Sequence, residues 1–262
     1  NERSNMLRKN TGRIKSKVKK KMSILIFKFC NLGKKRFECP ICDYRGPFVD
    51  ITPNTGLRKH AKCPQCNAVE RHRLQFLAVN YVLRDIDASN LKMLHCAPEP
   101  FFYNIFSKKF GQYESADLIR RDVDHNIDLQ RIPFADATYD FVFASHVLEH
   151  IHDDKKAISE IRRILKPKGM AILPIPVIAE KTIEYPKPNP KEHNHVRAPG
   201  MDYFDRFEEY FSKVERFSSN SFPEKFQLFI YEDRSKWPTE EYPLRIAMSG
   251  ERHIDIVPVC HV

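Results

Sequence analysis

The sequence predicts an α/β domain built on a mostly parallel sheet, with a small cysteine-bearing module ahead of it. Apolar runs at 139–144 and 170–175 are each bounded by turn residues. Between them lies a helix-length segment with Ile158, Ile161, Ile164 and Leu165 at helical spacing. Such alternation is the pattern of strands joined by crossover helices. Two CxxC pairs, Cys39/Cys42 and Cys63/Cys66, stand twenty residues apart and mark the module.

Charge is unevenly placed. The 262 residues carry a formal net charge of +10, yet residues 1–36 alone hold 13 Lys/Arg against the single Glu2. The remaining 226 residues sum to −2, so the body is near neutral. That argues against a catalytic domain with a broad nucleic-acid-binding face. No internal repeat or low-complexity block interrupts the chain.

Residues 7–29 place Leu7, Ile14, Val18, Met22, Leu25 and Phe29 at helical spacings among lysines and arginines. A helix of this kind can lie on an anionic bilayer with its apolar stripe in the acyl boundary. A solvated basic tail, or a helix packed on the body, fits equally. The apolar run 22–30 is too short to span a membrane, and Lys28 interrupts it in a way that disfavours a signal peptide.

Four cysteines in two knuckles suit tetrahedral zinc as a ribbon, because a two-residue spacer lets both sulfurs of one knuckle face a single metal. Two disulfides, or four reduced structural cysteines, are the alternatives. A metal held by Cys39, Cys42, Cys63 and Cys66 has no open position and is structural. Cys96 reads as a small core residue, and free thiols beside a metal site favour the reducing cytoplasm. Between the knuckles Arg58, Lys59, His60 and Lys62 form a basic loop. Glu70-Arg71-His72-Arg73 then leads into a helix with Leu74, Leu77, Ala78, Tyr81 and Val82, whose arginines are structural, solvated or turned toward a substrate cleft.

Residues 91–100 read LKMLHCAPEP, a strand and the loop after it, and ESADL (114–118) ends a second strand at Asp117. Asp128-Leu129 follows a third. Strand four, 139–144, runs into Ser145-His146-Val147-Leu148-Glu149-His150, where side chains at the carboxyl end of a parallel strand meet the ligand crevice. The proline-rich stretch 177–200 has no secondary structure of its own by its pattern and reads as a lid or acceptor-binding element. Residues 202–211 read as a helix, and 214–217 with 226–231 as a closing antiparallel pair.

IPFADATYDFVFASHVLEHIHDD (132–154), with ILKPKGMAILPIP (164–176), resembles the type 11 group of class I S-adenosylmethionine-dependent methyltransferases. The resemblance spans roughly residues 91–176. It implies a Rossmann-like, seven-stranded sheet with helices on both faces, and three regions: a basic tail 1–36, a zinc ribbon 37–69 and a methyltransferase domain 70–262. It also implies S-adenosylmethionine as cofactor. His95, Ala97 and Glu99 fall in the cofactor loop, Asp117 on the ribose, Asp128 and Leu129 on the adenine, and Ser145 and His146 at the sulfonium end. The usual loop glycines are replaced by Ala97 and Glu99, which counts against a dinucleotide but is compatible with a cationic sulfonium.

His195-Val196-Arg197 and Asp202-Tyr203 stand where the resembled enzymes carry "DHVR" and "DY" segments. His146 and His195 are the candidate catalytic residues, and Arg197, Tyr203 and His150 the candidate acceptor contacts. His150 and Glu149 could equally cap the next helix, and His195 could be a solvated loop residue. The resemblance to methyltransferases that carry a zinc ribbon leaves the acceptor divided. A hydroxyl of a sugar or glycolipid in cell-surface glycan synthesis, at the cytoplasmic membrane face, is the first reading. The alternatives are ribosomal RNA gripped by ribbon and tail, and a non-catalytic zinc protein.

Overall fold

The computed structural model describes residues 19–53, 55–239, 245 and 247–262. The first half of the amphipathic segment, residues 7–18, lies outside the described residues. Its second half is helical from 19 to 30 (α1). Ile24 packs on the cysteine module, while Met22, Leu25, Ile26 and Phe29 are exposed. Among the described residues no helix is long and apolar enough to cross a membrane.

The cysteine module is two short hairpins. Strands β1 (Phe37–Glu38) and β2 (Arg45–Gly46) pair antiparallel, as do β3 (Val49–Ile51) and β4 (Arg58–Lys62). Helix α2 (Glu70–Val82) then leads into β5 (Lys92–Cys96), α3 (Pro100–Lys109), β6 (Gln112–Asp117), β7 (His125–Asn126), β8 (Tyr139–Ala144), α4 (Asp154–Ile164) and β9 (Leu165–Ile172). The expected strands and helix all form. Strand nine starts earlier than the apolar run suggests, at Leu165, directly after the helix.

Residues 183–198 depart from expectation. The stretch read as lacking secondary structure forms a hairpin, β10 (Ile183–Asn189) with β11 (His195–Ala198), irregular in register between Glu184 and Asn189. Pro186 and Pro188 lack the N–H a regular ladder needs, which is why the sequence reads as loop. The helix expected over 202–211 is shorter, a 3₁₀ turn Met201–Phe204 followed by α5 (Asp205–Glu208).

The large sheet has the order β12 (Lys213–Ser218), β15 (Ile256–His261), β9, β8, β5, β6, β7. Strands β9, β8, β5, β6 and β7 are mutually parallel, and β15 runs antiparallel to both β9 and β12. The closing pair therefore differs from the expected one: β12 pairs with the chain's last strand. Gln227, held at φ 48, breaks the 226–231 run. Its remainder, β13 (Ile230–Glu232), joins β14 (Arg252–His253) in a second sheet ordered β14, β13, β4, β3. That sheet joins the cysteine module to the C-terminal residues.

Side chains alternate across the sheet and build two cores. Val142 and Ala144 pack with Ile158, Ile161 and Ile164 of α4 on one face. Phe141 and Phe143 pack with Leu74 and Ala78 of α2 and Phe102 and Phe106 of α3 on the other.

His95 belongs to this second core rather than to the cofactor loop. It is 1% exposed, edge-on to Phe106 and Phe143, with Nδ1 2.9 Å from the Tyr113 hydroxyl. Burial pushes its pKa down to about 3, with Glu99 opposing the shift and Arg120 adding to it. The folded protein thus keeps His95 neutral where the unfolded chain binds a proton below about pH 6.5. Its contribution is complete above pH 6.5 and is lost as pH falls toward 3. His95→Leu is expected to flatten the fall of unfolding free energy between pH 6.5 and 4 by one proton's worth, about 1.4 kcal/mol per pH unit. Denaturant melts of both proteins across that range check it, and equal slopes would refute it.

Candidate active site

Two knuckles with the same backbone build the four-cysteine centre. Asp43 N–H donates to the Cys39 carbonyl at 3.0 Å, and Asn67 N–H to the Cys63 carbonyl at 2.9 Å. Asp43 and Asn67 hold φ at 57 and 66, a left-handed conformation that short polar side chains tolerate. The sulfurs of Cys39 and Cys66 are 3.6 Å apart, as are those of Cys42 and Cys63. All four lie within 4.8 Å of one another and all four thiols are free. A disulfide needs about 2.05 Å. A tetrahedron with Zn–S bonds of about 2.3 Å has edges near 3.8 Å. The donor set and spacing thus fit zinc and suggest it as the metal, with no open position.

The carboxyl ends of β5, β6, β7 and β8 open on a cleft of about 690 Å³. Ala97, Asp117, Asp128, Leu129, His146 and His150 line it, with Leu118 and Ile119 among its apolar side chains. Leu118 and Ile119 are 63% and 78% exposed, an apolar rim suited to a ring partner. Ala97 adopts φ 47, the left-handed conformation for which related loops use glycine. Asp117 Oδ1 accepts from the amides of Ile119 and Arg120 at 2.8 and 2.9 Å, which fixes the loop that carries its carboxylate at the cleft. Asp128 Oδ1 accepts from Gln130 N–H at 2.8 Å. Two acidic residues at successive strand ends, facing a mostly apolar cleft, fit a ribosylated purine. The hairpin closes over it, since Pro188, His193, Asn194 and Val196 line the same space.

A second cleft, about 470 Å³, shares His146, His150 and His193 with the first. Glu149 and His195 lie in it, and Arg58, Arg71, Arg234 and Arg245 stand in its walls. Arg58 pairs with buried Glu70 at 3.1 Å, Arg234 with Glu232 at 3.0 Å, and Arg245 with Glu192 at 3.1 Å. Burial pushes the His195 pKa down to about 4, opposed by Glu149. Burial works to raise Glu149, but His146 and His195 outweigh it and hold the carboxyl below its ordinary value. His146 takes φ 56, and Glu149 Oε1 lies 3.3 Å from its Nδ1.

Several sequence candidates stand away from both clefts. Glu99 is bound to Arg71 and lies 3.5 Å from His72, so it faces α2 and not the cofactor cleft. Ser145 is buried under α2, accepting from Gln75 Nε2 at 3.0 Å. Tyr203 is 0% exposed, its hydroxyl donating to Asp154 at 2.6 Å, because the 3₁₀ turn points it into the core. Arg197, also buried, donates to the carbonyls of Leu148, Ile151 and His152 at 2.8, 2.7 and 2.9 Å and to Glu184 at 3.0 Å. It thereby pins β11 to the loop after β8. Arg234, Glu232 and Asp255, which line the second cleft, come from a C-terminal stretch with no motif to announce them.

A family model described as a methyltransferase domain matches residues 106–173. The sterol 4-C-methyltransferase strm-1 of Caenorhabditis elegans is 41% identical over 112 residues, 43% of this chain and 31% of that protein. The dimethylglycine N-methyltransferase of Parasynechococcus marenigrum is 32% identical over 65 residues, 25% of this chain and 23% of that one. The chain thus spans about a third or less of the curated relatives it matches. Among solved structures, the MccD protein covers 70% of this chain and 96% of its own at TM-score 0.48 and 15% identity. An S-adenosylmethionine-dependent methyltransferase from Mesorhizobium loti covers 72% and 100% at TM-score 0.44 and 11% identity. By its strand order and its matched segment, the chain carries a class I S-adenosylmethionine-dependent methyltransferase domain, with a four-cysteine centre ahead of it.

Proposed function

We propose that the protein transfers the methyl group of S-adenosylmethionine to an oxygen of a polar, negatively charged acceptor, a sugar or glycolipid intermediate of cell-surface glycan synthesis. The observation that carries this reading is the second cleft, which meets the first at His146, His150 and His193 and has four arginines in its walls. Arg58, Arg71 and Arg234 each pair with a carboxylate, and the five donors of a rigid guanidinium fork leave others for an anionic acceptor. A sterol, named for the nematode relative, would instead call for an apolar wall.

S-adenosylmethionine supplies a methyl group on a sulfonium, open to in-line displacement. Asp117 would hold the ribose hydroxyls, Asp128 and the Leu129 amide the adenine, and Leu118 and Ile119 would offer apolar contact to its ring. His146, at the junction of the clefts, removes the acceptor's proton as transfer proceeds. Arg197 and Tyr203 act by holding the hairpin and loop, while His195 and His150 face the acceptor. The exposed apolar side chains of α1 and its lysines suit an anionic membrane surface, where a glycolipid acceptor resides.

The test supplies labelled S-adenosylmethionine and protein to a cell lysate and separates RNA, protein, soluble and lipid-glycan pools. Label in the lipid-glycan pool that resists ribonuclease supports the reading, and label released by ribonuclease transfers it to RNA. Asp117→Ala is expected to weaken S-adenosylmethionine binding at least about tenfold in calorimetry through loss of a charge-assisted pair. No binding by the zinc-loaded parent would favour a non-catalytic protein.

A further inference from the structure

We propose that Glu149, His150 and His195 form a binding site for a divalent transition-metal ion in the wall of the second cleft, separate from the four-cysteine centre. Each offers one ligand atom, and the three atoms lie within 4.8 Å of one another. The rings of His150 and His195 meet edge to face with centroids 4.6 Å apart. A site with bonds of about 2.1 Å requires ligand atoms about 3.0 to 3.5 Å apart. Rotation of His150, whose residue is exposed, supplies the remaining ångström or so.

The second observation is a group of buried ligand atoms that lack hydrogen-bond partners. The Glu149 side chain is 1% exposed, and neither of its oxygens has a hydrogen-bond partner. Its contact with His146 Nδ1 at 3.3 Å lacks the geometry of a hydrogen bond. His195 Nδ1 is buried and unpartnered as well. A desolvated carboxylate with empty lone pairs is costly unless a cation meets it. One proton would satisfy one of these three atoms, whereas a metal ion can satisfy the carboxylate and both imidazoles together.

The surroundings keep the ligands together. Arg197 grips the carbonyls of Leu148 and Ile151, which flank Glu149 and His150, and sits two residues from His195 on β11. Both ligand-bearing elements are therefore fixed to one guanidinium, as outer groups fix metal ligands elsewhere. Two imidazoles and one carboxylate favour manganese, iron, cobalt, nickel or zinc over magnesium or calcium, which prefer all-oxygen sets. Three protein ligands leave coordination positions open, and the cleft in which the ligands lie is the one assigned to the acceptor. The metal is suited to bind an acceptor hydroxyl and favour its ionised form. That consequence rests on the methyl-transfer reading, but the site itself does not.

The test loads the full chain with zinc, confirms one zinc per chain by elemental analysis, and titrates Mn(II) while following the free ion by electron paramagnetic resonance. One Mn(II) per chain is expected in the parent. Glu149→Gln and His150→Ala are each expected to weaken it at least about tenfold. His150 is exposed, so its variant keeps the fold, which circular dichroism and retained zinc verify. Absence of Mn(II) binding in the parent, or binding that both variants preserve, overturns the proposal. Calorimetry with S-adenosylmethionine on the same samples separates the two readings. Cofactor binding without Mn(II) removes the metal site alone, and Mn(II) binding without the cofactor removes methyl transfer alone.

Discussion

Arg73→Met is expected to lower stability by about 3 to 5 kcal/mol, the range for breaking a buried charge network. For a chain of this size that is roughly 10 °C in melting temperature. Arg73 is fully buried, and its guanidinium lies 4.5 Å from the centre of the Phe48 ring. It donates to the carbonyls of Ala61 and Ala68 at 2.9 and 2.8 Å and to those of Phe226 and Gln227, both at 3.0 Å from Nε. The Ala68 carbonyl also accepts the Cys63 amide, so the guanidinium holds a knuckle directly. Burial works against its charge, while Glu70 and the thiolates of Cys39, Cys63 and Cys66 favour it. Four thiolates around Zn²⁺ carry two net negative charges, and Arg73 offsets one of them from within the protein. Chelation of the metal should therefore shrink the effect of the substitution, a coupling that thermal melts of parent and variant with and without chelator will read. A variant that melts with the parent, or additive losses, would refute this account.

Arg197→Ala is expected to cost a similar amount, about 3 to 5 kcal/mol, by leaving three loop carbonyls without their cation and removing one of the two guanidinium groups at buried Asp154. Arg206 and the Tyr203 hydroxyl still reach Asp154 at 2.6 Å, so part of the network survives. Loosening the hairpin uncovers both clefts, and S-adenosylmethionine affinity should fall together with melting temperature. Arg197→Lys restores little, because an ammonium cannot serve three carbonyls arranged for a planar fork. Calorimetry beside thermal melts discriminates the roles. An unchanged melting temperature with altered acceptor saturation would instead make Arg197 a direct acceptor contact.

The residues that failed to announce themselves share a physical reason. Tyr139–Ala144 is legible because an apolar run broken only by Asp140 and bounded by turn residues has few other solutions, and the knuckles are legible because metal geometry fixes their spacing. Ile256–His261 is not, since its partners Lys213–Ser218 and Met170–Ile172 lie far away in sequence and Pro258 interrupts its pattern. Asp117, Asp128 and His146 reach the cleft because strand ends dictate their place. His95, one position from a residue of the opposite core, goes to the other face, since side chains alternate along a strand. Arg197 and Tyr203 carry a motif whose spacing is set by a buried network around Asp154, so the same letters that suggest substrate contact serve packing.

The sheet that joins β3 and β4 to β13 and β14 also bears on how the chain is made. Its register pairs Lys59 with Tyr231 and Arg58 with Glu232, residues far apart in sequence. A ribosome delivers the cysteine knuckles well before Ile230–Glu232 and Arg252–His253, the strands that finish their sheet. The four-cysteine centre can bind metal early, yet Arg73 has no Phe226 or Gln227 carbonyl to grip until those residues have been made. Such distant pairing slows folding. Nascent chains stalled before residue 226 should accordingly hold zinc while remaining open to protease across residues 58–62.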